Sequence, residues 1–161
     1  SQSPEQSRAY LKEANPSPVT RPCDKIDALI NGYNNNFDNI KLKSKETRIG
    51  QIWLAKYHLV GDSCQIWSAG KGMSTYSCNV TADSEEQAND YFNFAKQTTE
   101  ECLGETWHMD IQPRKDNKGS KVQFTNRDSD LTIASHMVPT SSLFKSQWTV
   151  YYYVGSSKKQ K

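Results

Sequence analysis

The chain has 161 residues, with 20 Lys and Arg against 18 Asp and Glu, 35% hydrophobic residues and a net charge of +2. That length fits one domain with its own core, without metals or dense cross-linking. The slight basic excess argues against a dedicated nucleic-acid binder, and no apolar run approaches the ~18 residues of a membrane span. Despite a mean hydropathy of −0.83, the 4 Trp, 8 Tyr and 5 Phe argue against disorder.

Residues 1–19 carry Pro4, Pro16 and Pro18 in a polar context and read as a flexible lead-in. The chain starts at Ser1 rather than Met, the pattern of a removed signal peptide or of a trimmed boundary. Such a lead-in also suits a membrane tether. The folded domain is expected over 20–155, and 156–161, with Lys158, Lys159 and Lys161, as a disordered basic tail.

The first periodic segment places Cys23, Ile26, Ile30, Tyr33 and Phe37 at spacings of 3, 4, 3 and 4, one stripe of a helix. Thr20 is the expected N-cap and Pro22 fits the first turn, so the helix should run from about Arg21 to Tyr33. The basic stretch from Lys41 to Arg48 has no apolar alternation and reads as a solvated loop or strand edge. Ile52 to Val60 then reads as a strand that becomes irregular after Lys56.

Cys64 to Cys78 forms a hairpin whose turn is Gly70-Lys71-Gly72. Gly72 suits the left-handed position of a three-residue loop. Folding about Lys71 sets Ser68 opposite Ser74, Ile66 opposite Tyr76 and Cys64 opposite Cys78. The glycines alone set this register, and it brings two sulfurs together. Four cysteines allow three pairings, and assigning Cys64–Cys78 leaves Cys23–Cys102.

A second helix supports that assignment. Asp83-Ser84-Glu85-Glu86 has the form of a capping box, and Gly104 stands at a C′ position. The stripe between them is Ala88, Tyr91, Phe92, Ala95, Thr99 and Cys102, so one cysteine begins the first helical stripe and another ends the second. No Cys-x-x-Cys or clustered histidine is present, so no metal site and no cofactor is expected. Two disulfides imply an oxidising, extracytoplasmic setting, either periplasmic or secreted.

Four more strands follow, over Thr106–Ile111, Lys121–Thr125, Leu131–Val138 and Gln147–Val154. Turn residues separate them: Asp116 to Gly119, Asn126 to Asp130, and the segment at Pro139. The expected fold is therefore α+β, in the order α-β-β-β-α-β-β-β-β. Its antiparallel sheet of about six to seven strands would carry both helices on one face.

No catalytic motif stands out. His108 and His136 occupy the outward parity of their strands, and Asn79-Val80-Thr81 is a formal glycosylation sequon facing the same way. Trp148 and Tyr152 have core parity, whereas Trp67, Tyr151 and Tyr153 point away from the helices. Tyr and Trp are the residue types that dominate binding hot spots. The reading is a non-enzymatic extracytoplasmic domain that binds another protein, in the manner of an immunity or inhibitor protein. Its binding face would be Trp67, Tyr151, Tyr153, His108 and His136. Two alternatives stand beside it: a small hydrolase using His108 and His136 with an acidic neighbour such as Asp110, and an envelope protein binding glycan or lipid through the same aromatic face.

Overall fold

The computed structural model describes residues 21–48, 50–68, 74–113, 118–141 and 146–156. The lead-in, Thr20, the Gly70-Lys71-Gly72 turn, Asp116 and the residues beyond Ser156 lie outside them.

Helix α1, Pro22–Tyr33, begins at the expected place, but its N-cap is Arg21, whose side chain makes no capping bond. Pro22 sits in the first turn, where the missing N–H has no intrahelical partner to lose. The buried positions are Ile26, Leu29 and Gly32, while Cys23 is exposed and Ile30 and Tyr33 are half-buried. The core-facing stripe is thus rotated from the expected one. Phe37 is buried, as expected, but it has left the helix. The Gly32 carbonyl accepts from both Asn35 N and Phe37 N, and Asn36 and Phe37 adopt left-handed φ values of 58° and 59°. That turn swings the Phe37 ring back beside Tyr33, with centroids 6.2 Å apart. The burial offsets a backbone conformation that a bulky residue rarely takes.

A short 3-10 turn, Asp38–Ile40, leads into strand β1, Lys41–Thr47. Strands β2, Gly50–Ala55; β3, Ser63–Ser68; and β4, Ser74–Ala82, follow. Helix α2 spans Glu85–Cys102, and the chain ends in β5, Trp107–Pro113; β6, Ser120–Asn126; β7, Leu131–Pro139; and β8, Trp148–Ser156. The class is α+β as expected. The sheet has eight strands rather than six to seven, in the order β1-β2-β3-β4-β8-β7-β6-β5, and every neighbouring pair is antiparallel.

The additional strand is β1, an edge strand formed by the basic stretch that reads in the sequence as a loop or a strand edge. It pairs only with β2, and five of its seven residues are exposed, so neither face imposes an apolar period. The strand expected over Ile52–Val60 ends at Ala55, and the chain then loops. That loop is pinned from below: the buried Tyr76 hydroxyl donates to the Tyr57 carbonyl at 2.8 Å and accepts from Leu59 N at 3.2 Å.

The core lies between the helices and the inner face of the sheet. Tyr76 and Cys78 of β4, Val150, Tyr152 and Val154 of β8, and Ile133 and Met137 of β7 are all buried there. Ala88, Phe92, Ala95 and Thr99 of α2 close over them, as their spacing predicts. Ser84 caps α2, accepting from Gln87 N, while Gln87 Oε1 accepts from Asp83 N. The N-cap is therefore Ser84, one residue later than in the expected Asp83–Glu86 box, and the returning bond from Gln87 reaches the residue before the cap.

Both disulfides form as read from the sequence. Cys64 is registered against Cys78, between Ile66↔Tyr76 and Ser63↔Asn79. Cys23–Cys102 joins the first turn of α1 to the last residue of α2. Among the described residues there is no free cysteine, no group of side chains able to hold a metal ion, and no helix long and apolar enough to cross a membrane.

Candidate binding face

The face of the sheet opposite the helices holds all five residues singled out in the sequence. Strand alternation puts them there: burial of Tyr152 and Val154 turns Tyr151 and Tyr153 outward, and burial of Cys64 and Ile66 turns Trp67 outward. Register fixes their positions. Asn79, Tyr151, His136 and Lys121 form one cross-strand row, and Ser77, Tyr153, Ala134 and Gln123 form the next.

Three of the five residues meet. The Tyr151 and Tyr153 rings are parallel, 5° apart, with centroids separated by 6.0 Å. His136 stands edge-on to Tyr153, at 5.8 Å and 88°. All three are half-buried, so each ring offers one side to solvent while resting on its neighbour. Burial, and then the nearby Tyr151 hydroxyl, raise the Tyr153 pKa above its usual 10.0. At neutral pH its hydroxyl is protonated, as any tyrosine's is, and can donate as well as accept.

The other two residues stand apart. Trp67 is 38% exposed and lies opposite Ile52 and Thr75. It is two strands and two residues from Tyr153, about 12 Å by strand spacing. His108 is exposed on β5, opposite Thr125. Its row meets β7 at Thr132, so two strands and four residues, about 16 Å, separate it from His136. The two imidazoles do not share a site. The five residues share one face, and the rings that meet on it are those of Tyr151, Tyr153 and His136.

An open cleft of about 940 Å³ adjoins the tyrosines where β7 and β8 meet the start of α2. Tyr151, Tyr153, His136, Trp148, Glu85 and Lys118 line it. Sequence reasoning assigned Trp148 wholly to the core. It is the first residue of β8, paired with Pro139 and Ala82, and it is only half-buried. A ring at a strand end packs on the core with one side and lines the cleft with the other. Glu85 and Lys118 carried no sequence signal for this role, because they reach the cleft from a helix start and a turn.

The inner side of β8 anchors this face. Directly between the two outward tyrosines, Tyr152 is fully buried and its hydroxyl lies 2.8 Å from Thr99 Oγ1 on α2. The Ser135 hydroxyl donates to the Tyr151 carbonyl at 2.7 Å, tying β7 to β8 beneath the aromatic cluster. At the far end of β8, Asp130 accepts from Tyr33 and from Ser156, each at 2.9 Å, so the strand is fastened to α1 as well. The tyrosine pair is therefore displayed on a rigid central strand, which limits the ordering cost of binding.

Compared with protein-family models, with curated proteins and with solved structures, the chain matches none.

Proposed function

We propose that this protein is a non-enzymatic, extracytoplasmic binding domain that engages another protein through the outer face of its sheet. The observation that carries the reading is the Tyr151–Tyr153–His136 cluster, held half-exposed on the adjacent strands β7 and β8. A rigid, solvent-facing tyrosine pair offers large contact area with few torsions to freeze, the usual make-up of a binding hot spot. The two disulfides support an oxidising compartment, either the periplasm or the exterior, and an immunity or inhibitor role fits a domain whose specificity lies in one face. The separation of His108 from His136 counts against a hydrolase built on that pair.

A second reading is favoured by the cleft: a glycan seated against Trp148, Tyr151 and Tyr153, with Glu85 and Lys118 as polar partners. The test compares capture from the extracytoplasmic fraction of the native host by the wild type, by Tyr151→Ser/Tyr153→Ser and by a control altered at the exposed Phe94 of α2. A protein retained by the wild type and the control but lost from the tyrosine variant supports the first reading. Saturable oligosaccharide binding with no captured protein supports the second.

A further inference from the structure

Outside the tyrosine cluster, the outer face has a second concavity at the opposite end of the sheet. It has a volume of about 340 Å³ and lies across β1, β2 and β3. Ile52 and Leu54 make its floor, since they are registered against Trp67 and Gln65 and so share the outward parity. Lys43, Lys45 and Thr47 make one wall and Gln65 the other. Leu54, near the end of β2, is 51% exposed although it pairs with Gln65 of β3, and Trp67 extends the apolar surface beyond Ile52.

Two features make this more than a solvated edge. The irregularity in the β1–β2 register between Lys41 and Ser44 interrupts the ladder beside Leu54, which lies between their partners Ala55 and Trp53. Lys43 and Lys45, both exposed, pair with no carboxylate among the described residues, whereas Lys41 on the same strand is held by Asp38 at 2.8 Å. Two uncompensated ammonium groups therefore rim an apolar floor, and their alkyl stems line its wall. The concavity lies on the face of the sheet, not along the free edge of β1. A peptide adding as a further strand would leave it empty.

We propose that this groove binds a single acyl chain with a carboxylate head, the chain lying over Ile52 and Leu54 and the head between Lys43 and Lys45. Its volume is at the small end of ligand sites, which run to roughly 300–1,000 Å³, and it suits one chain rather than a multi-chain lipid. The site is separate from the proposed protein-binding cluster: Leu54 and Tyr153 share a cross-strand row three strands apart, about 14 Å.

The test is calorimetric titration of the full oxidised chain with laurate below its micelle concentration. Dodecyl phosphate, dodecyl maltoside and dodecyltrimethylammonium supply the other heads on the same tail. Saturable laurate binding at one site, at least about tenfold tighter than the maltoside or the cation, is the expected result. Leu54→Ser, at an exposed position, should weaken it by roughly tenfold with an unchanged circular dichroism spectrum. Lys43→Glu/Lys45→Glu should abolish the preference for the anion, and Tyr151→Ser/Tyr153→Ser should leave laurate binding unchanged. The proposal is overturned if laurate binds no better than the maltoside, if Leu54→Ser has no effect, or if only the phosphate binds.

Discussion

Tyr152 and Thr99 bring their hydroxyls to 2.8 Å at the point where α2 crosses the central strand of the sheet, both side chains fully buried. Each satisfies the other where water cannot. Removing one leaves an unpartnered polar atom in the core, which costs about 1–3 kcal/mol; removing both leaves none. Tyr152→Phe and Thr99→Val should therefore each destabilise the fold, and the double variant by less than their sum. Urea unfolding of the four proteins in a double-mutant cycle checks this.

The same buried phenols set an alkaline limit. Burial raises the pKa of Tyr152 and of Tyr76 well above the usual 10.0 of a tyrosine. As pH climbs past 10 the unfolded chain loses these protons first, so it binds fewer than the folded chain and stability falls. Below that pH both states keep them and the two groups contribute no slope. Each tyrosine should contribute up to about 1.4 kcal/mol per pH unit above 10. Urea midpoints measured between pH 8 and 11 should show the decline, with a shallower slope in Tyr152→Phe.

Burial also separates the two disulfides. Cys23 is exposed, whereas Cys64 and Cys78 are 2% and 0% exposed. A mild reductant acting on the folded chain should open Cys23–Cys102 first, as thiol labelling with mass spectrometry would show. That bridge spans 79 residues against 14 for the other. In the chain-entropy model its loss costs about 4–5 kcal/mol, and loss of the shorter one about 3. The Cys23→Ser/Cys102→Ser variant should show the larger shift in thermal midpoint.

These features differ in how far the residues alone reveal them. The Cys64–Cys78 pairing was legible because a glycine turn and the period of 2 together fix which residues stand opposite. The strands around Met109, Phe124, Ile133 and Tyr152 were legible for a related reason: one face is buried and one is not, and the pattern records it. Strand β1 was not, since its lysines record only solvent. Phe37 matched the α1 period by coincidence, its ring reaching the core through a left-handed turn. Parity correctly turned Trp67, Tyr151 and Tyr153 to one face. It gives no position along the sheet, so the separation of Trp67 from the tyrosines, and of His108 from His136, came only from the strand order. The cleft beside Trp148 joins a strand end, a turn and a helix start, which no local period connects.

The central claim is that Tyr151 and Tyr153 serve binding rather than folding, and the most direct measurement takes both quantities from one pair of variants. Once a captured partner is purified, its Kd is measured against the wild type, Tyr151→Ser, Tyr153→Ser and the Phe94→Ser control, with urea unfolding of each protein alongside. The account predicts that each tyrosine change costs about 0.5 kcal/mol of folding stability, the usual range for a surface substitution. At least one should weaken binding by about 2 kcal/mol or more, roughly thirtyfold in Kd, while the control leaves it unchanged. Equal affinity across all four proteins, or tyrosine variants that unfold before they lose affinity, would contradict it. The outer tyrosines would then be a second layer of core and not a docking surface.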